Sequence, residues 1–183
     1  MSTATATQTR TTWKIDPAHS QVEFGVRHMM ITTVKGRFAG VEGTVLLDET
    51  NPSNAEVDVK IDASTIDTRE SQRDAHLRSA DFFEVEKYPH IIFKSNRITG
   101  RKGNEFKLVG DLTMHGVTRE VVLDVSEEGR VRDPWGGERL GFTATTKVKR
   151  SDYGLKWNQT LEAGGVLVGD DVKISLELEL LKA

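Results

Sequence analysis

The chain has no cysteine, which excludes disulfides, thiolate metal sites and cysteine nucleophiles and fits a reducing compartment. It also has no apolar run approaching the roughly 20 residues that a membrane-spanning helix needs. The opening MSTATATQTRTT has no apolar stretch behind a basic residue, so it does not read as a secretory signal. A soluble, cytoplasmic protein is the expectation. Net charge is nearly absent as well, at −3, and offers no general pull on nucleic acid or anionic membranes. Aromatic residues make up only 7%, too few for the basic, aromatic-rich face of a nucleic-acid binder. The phosphate-cradling patterns GxxxxGKS/T and GxGxxG do not occur, nor do HExxH or GxSxG.

What is present is alternation. The 183 residues suit a single domain. Met1 to Thr11, mostly Thr, Ala and Ser, reads as a disordered tail before a domain spanning 12–183. In SQVEFGVRHM the apolar side is Val22, Phe24 and Val26; in NAEVDVKID it is Val57, Val59 and Ile61. VKISLELELL sets Val172, Ile174, Leu176, Leu178 and Leu180 against Lys173, Ser175, Glu177 and Glu179. Such period-2 runs are half-buried strands. The turn signals ETNPSN, TGRKGN, MHGVT, DPWGGE and VGDD separate them. The pattern fits an antiparallel barrel and a two-sheet sandwich equally well. In a barrel the apolar faces point inward and enclose either their own side chains or one apolar ligand. Gly25, Gly110 and Ala144 are small inward positions that would leave it room.

One segment departs from the pattern. QRDAHLRSADFF lies in a run of helix formers, with Asp67 available as N-cap and Glu70 three residues on. It predicts a short helix over about 68–80 that crosses the end of the β structure. Its cations Arg69, Arg73, His76 and Arg78 are either solvated charges or a positive rim for a polar ligand head. Phe82 and Phe83 would hinge that rim to the core.

The remaining chemistry is sparse. His19 and His28 are separated by an odd number of residues, so on a regular strand they face opposite ways. His76 and His90 flank a loop, and no metal site is expected. His19-Ser20 and Arg150-Ser151-Asp152 contain the residue types of a hydrolytic triad, but Ser and Asp at such places usually cap turns. No cofactor is implied.

Six blocks in order then resemble the YceI-like family of lipocalin-like, polyisoprenoid-binding barrels. They are WKIDPAHS from Trp13, FGVRHM from Phe24 with VKGRF from Val34, and IDTRESQRDAHLRSADFF from Ile66. YPHIIFKS from Tyr88, GDLTMHGVTREV from Gly110 and KRSDYG from Lys149 complete the set. The resemblance implies an all-β fold, an extended eight-stranded antiparallel barrel closed at one end by the helix around a long apolar cavity. It implies binding of an isoprenoid amphiphile, such as a polyprenyl phosphate or prenyl quinone, without catalysis, and it is compatible with a homodimer. Many relatives are periplasmic. The expected lining is Val22, Phe24, Val26, Val57, Val59, Ile61, Phe82, Phe83, Phe93, Leu112, Met114, Leu123, Phe142, Leu176 and Leu178, with Arg73, His76 and Arg78 at the mouth. Rival readings are an enzyme using His19, Asp74 or His76 on such a lipid, sequestration of other lipophiles, and a solid barrel acting as a stress-linked scaffold.

Overall fold

The computed structural model describes residues 9–183. Its strands are β1 (Arg10–Ile15), β2 (Gln21–His28), β3 (Thr32–Phe38), β4 (Val41–Asp48), β5 (Glu56–Asp62), β6 (His90–Lys102), β7 (Glu105–Met114), β8 (Val117–Arg132), β9 (Glu138–Lys149) and β10 (Val168–Lys182). They form one antiparallel sheet in the order β1-β4-β5-β6-β7-β8-β9-β10-β2-β3, and β1 pairs again with β10. That pairing, Trp13 opposite Lys182 and Ile15 opposite Leu180, closes the sheet on itself. The barrel is eight strands round, because two of the strands are each broken in two. β1 and β2 share one edge of β10 and are divided by a 3-10 turn at Pro17–His19. β3 and β4 are divided at Ala39 and Gly40. Closure removes the sandwich from consideration.

The register carries the alternation across the barrel. Val22, Phe24 and Val26 lie opposite Leu176, Ile174 and Val172, and Leu176 and Leu178 lie opposite Ala144 and Phe142. Residues directly opposite share a face, so a one-residue slip would turn this whole wall outward. Cross-strand aliphatic and aromatic pairs are the stabilising unit.

The helix is shorter than expected. α1 spans Ser71–Arg78, and its N-cap is Glu70, whose carboxylate accepts from the backbone N–H groups of Gln72 and Arg73. Asp67 is not the cap. It accepts from the N–H of Arg69, which takes a left-handed φ of 66°, and it pairs with Arg37. This tight turn uses up residues 68–70 before a helix can start. The chain also bridges to β3 here, Arg37 to Asp67, covering an edge that β5 leaves open. At the N-terminus β1 begins at Arg10, inside the stretch read as tail; residues 1–8 lie outside the described residues.

Candidate functional site

The barrel encloses a cavity of about 540 Å³, within the usual range for small-molecule sites of roughly 300–1,000 Å³. Its wall contains every apolar residue expected from the alternation: Val22, Phe24, Val26, Val57, Val59, Ile61, Phe93, Leu112, Met114, Leu123, Phe142, Leu176 and Leu178, with Phe82 and Phe83 from the segment after α1. Ala144 lines it too. The glycines work differently from expectation. Gly25 falls between the inward Phe24 and Val26, and a Cβ there would meet the Thr33 methyl at 3.2 Å rather than open the lumen. Gly110 is needed because the Phe93 ring lies against it, 2.5 Å from where a Cβ would stand; Gly36 accommodates Phe24 in the same way at 2.3 Å. The glycines let large rings lie flat on the wall.

The two ends of the cavity are built differently. At one end, Trp13 is wholly buried beneath the Arg130 guanidinium at 5.1 Å and the Lys182 ammonium at 5.9 Å. Arg130 bonds Glu49 and Glu138, and Arg101 lies 3.7 Å from Glu127. The Arg130 hydrogen bond is the main reason that the Glu49 and Glu138 carboxyls sit below the ordinary range. We call this the sealed end, for its paired charges over the buried indole; Trp13 itself lies behind the cavity wall.

At the helix end the wall contains Thr68, Arg73, His76, Leu77, Arg150, Leu155 and Trp157, with Arg27 and His28 from the end of β2. His76 lies edge-on to Phe82 at 5.1 Å and to Trp157 at 4.8 Å, while its Nε2 is 2.8 Å from Asp81 Oδ2. Phe83 packs edge-on against Phe38. Arg73 reaches the hydroxyl and carbonyl oxygens of Thr68. Asp74 is buried, and its carboxylate accepts from the Thr68 N–H and hydroxyl. Arg78 is a correction: it is not in the wall, and its Nη1 approaches the Ile66 carbonyl at 3.5 Å. The guanidinium reaches back past the start of α1 to a residue that precedes the helix.

Arg150 and Trp157 were not among the expected lining residues. Arg150 follows β9 and is only 6% exposed. Its Nε donates to the Gly169 carbonyl at 2.8 Å, Nη1 to Leu155 at 2.7 Å and Nη2 to Val168 at 3.3 Å. Burial lowers its pKa, opposed by the field of Asp170. The signal was available: Leu140, Phe142, Ala144, Thr146 and Val148 all line the cavity, and Arg150 is the next step of that alternation.

His19 and His28 stand at opposite ends of β2, and His19 Nδ1 is 2.8 Å from Asp16 Oδ2. Asp16, His19 and Glu179 could in principle gather round a cation, but Arg139 already bonds both carboxylates and Asp133 as well. Ser151 bonds Asp170, fastening the turn after β9 to β10.

An antiparallel barrel closed round an apolar lumen, with a helix over one end, defines a lipocalin-like β-barrel fold. The chain belongs to the YceI-like family, whose domain matches residues 13–180. It is 40% identical over 146 residues to Protein YceI of Escherichia coli O157:H7, covering 79% of this chain and 76% of that one. Its fold superposes on Burkholderia cenocepacia BcnA with a TM-score of 0.79 at 22% identity, covering 90% and 98% of the two chains. It also superposes on a polyisoprenoid binding domain from Saccharophagus degradans, with a TM-score of 0.66 at 15% identity over 93% and 98%.

Proposed function

We propose that the protein binds one long isoprenoid amphiphile, a polyprenyl phosphate or prenyl quinone, and carries or stores it without transforming it. The observation that carries this reading is the lumen itself: one cavity whose wall runs in aliphatic and aromatic side chains from Trp157 to Arg130. Each buried CH₂ contributes about 0.8 kcal/mol, so a five-carbon unit adds roughly 3–4 kcal/mol before ordering costs. A few units outweigh any single head contact. The polyisoprenoid-binding relative of the same fold supports the choice of tail.

Support for a non-catalytic role comes from how the titratable candidates are used. Asp74 holds Thr68 under the lid, His19 pairs with Asp16 on the outside, and His76 is fixed between Asp81, Phe82 and Trp157. Neither histidine is paired with a serine or threonine hydroxyl, as a triad would require, and Asp74 takes both the hydroxyl and the backbone N–H of Thr68, as a turn cap does. Organic extraction of the purified protein followed by mass spectrometry tests the reading. A co-purifying prenyl lipid, or uptake of a fluorescent prenyl probe by delipidated protein, is expected. Failure to recover lipid together with failure to take up the probe would rule it out.

A further inference from the structure

Arginine in the cavity wall is treated oppositely at the two ends. Arg101 and Arg130 at the sealed end each have a carboxylate partner. Among the described residues, none of the ion pairs involves Arg27, Arg73 or Arg150, the wall arginines of the helix end. Arg27 and Arg73 are exposed, so water can solvate them. Arg150 cannot be solvated that way at 6% exposure. Its three hydrogen bonds all go to neutral carbonyls, which leaves the guanidinium without a carboxylate in contact and two of its five N–H donors without a bond. Asp170 acts on it through its field alone, its carboxylate oxygens being bonded to Ser151.

A buried guanidinium with no carboxylate in direct contact is costly. It is also pre-organised: three carbonyls fix its plane, so an incoming oxyanion meets a fork that needs no further ordering. The remaining wall carboxylates do not compete. Glu49 and Glu127 are at the sealed end, bonded to Arg130 and Arg101, and Glu23 is exposed on β2. Leu155, whose carbonyl receives Arg150 Nη1, also lines the lumen, and Trp157 beyond it touches His76. The guanidinium therefore stands where the apolar wall meets the lid.

We infer that Arg150 is an anion-binding residue: the amphiphile carries an anionic head, a phosphate monoester or a carboxylate, seated at the helix end, with its tail directed toward Trp13. This deepens the lipid-binding reading and depends on it. It sets the phosphate-bearing prenyl lipids above the neutral quinones, which offer no charge to Arg150.

The test compares farnesyl phosphate, farnesoic acid and farnesol as displacers of a fluorescent prenyl probe from delipidated protein. Charge-assisted bonds of this kind correspond to roughly 10- to 100-fold in affinity, so both anions should bind that much more tightly than farnesol. Which anion leads identifies the head. Arg150→Met should abolish the preference while leaving farnesol affinity within about threefold. Equal affinities in the wild type, or an undiminished preference in Arg150→Met, would overturn the inference while sparing the lipid reading. If none of the three displaces the probe and the probe itself does not bind, the lipid reading falls first, and this inference with it. Should Arg150→Met not fold, the wild type decides alone through a farnesyl phosphate analogue with a photoreactive group beside the phosphate. Labelling of 155–157 or α1 is expected; labelling of β8 around Arg130 overturns the orientation.

Discussion

The sealed end and the helix end of this barrel draw on the same side-chain types and combine them differently. Around Trp13, each cation in the cavity wall is matched by a glutamate, and the indole is wholly covered. Around Trp157, arginine and histidine line the wall without ion pairs to Arg27, Arg73 or Arg150, and the lid over them is held by hydrogen bonds within its own segment, by the Arg37–Asp67 bridge to β3 and by ring contacts to Phe38 and Trp157. A paired charge over a buried ring needs no further partner. Arg150 beside the small helix has no carboxylate in contact. The predictions below set the two poles against each other.

The largest effect is expected from removing the plug. Trp13→Ala deletes the most completely buried large side chain at the sealed end and leaves a void beneath Arg130 and Lys182. Truncation of a buried aromatic costs about 3–5 kcal/mol. Denaturant unfolding should show that loss in the global midpoint, because β1 closes the barrel through this residue. A midpoint shift equivalent to less than about 1 kcal/mol would mean that closure does not depend on the plug.

A smaller and more local loss is expected at the lid. Asp74→Ala removes the acceptor for two buried donors of Thr68. Unmade buried hydrogen bonds cost about 1–3 kcal/mol. Here the cost should fall on the segment 66–78, because α1 is held by few other contacts. Hydrogen exchange should show lost protection there while β7 to β10 stay protected, and bound lipid should dissociate faster. Equal loss across the barrel would remove the distinction between the poles.

How far the sequence shows this contrast depends on the residue. The wall is legible in it, because an apolar residue at every second position has no other use in a closed sheet, and Val22 to Val26 or Val172 to Leu180 could be assigned by parity alone. The same parity reaches Arg150, one step beyond Val148, but a charge at the end of an apolar run reads as the point where the strand meets water. Only the packing of Leu155 and of the β10 backbone over it shows that this one is buried. The helix boundaries were hidden for a related reason. Asp67 and Glu70 are both plausible caps, and the choice depends on the bridge from Asp67 to Arg37 on β3, a contact 30 residues away in the chain. Trp157 lies in a loop without periodicity, where sequence carries no parity to follow.

The smallest effect concerns the pairing that holds the plug. Arg130 keeps the Glu49 carboxyl below its ordinary value of 4.5, more than burial raises it, with a further contribution from Thr11. A carboxyl depressed on folding contributes stability that is complete above its unfolded pKa and is lost as pH falls through the folded one. Arg130 itself stays charged throughout, so it adds no pH dependence of its own. Glu49→Gln resembles the protonated side chain. The stability difference between wild type and Glu49→Gln should therefore be constant above about pH 5.5 and shrink toward zero as pH drops below 4.5. With a partly exposed pair its plateau should be no more than about 1 kcal/mol. Thermal unfolding from pH 7 to pH 3 in low salt measures it. The lid's response to Asp74→Ala should be the same in the Glu49→Gln background, since the two sites share no contact and stand at opposite poles. A plateau that fails to shrink in acid would show that Glu49 acts at the sealed end by packing and not by charge, leaving Trp13 alone as the difference between the two ends.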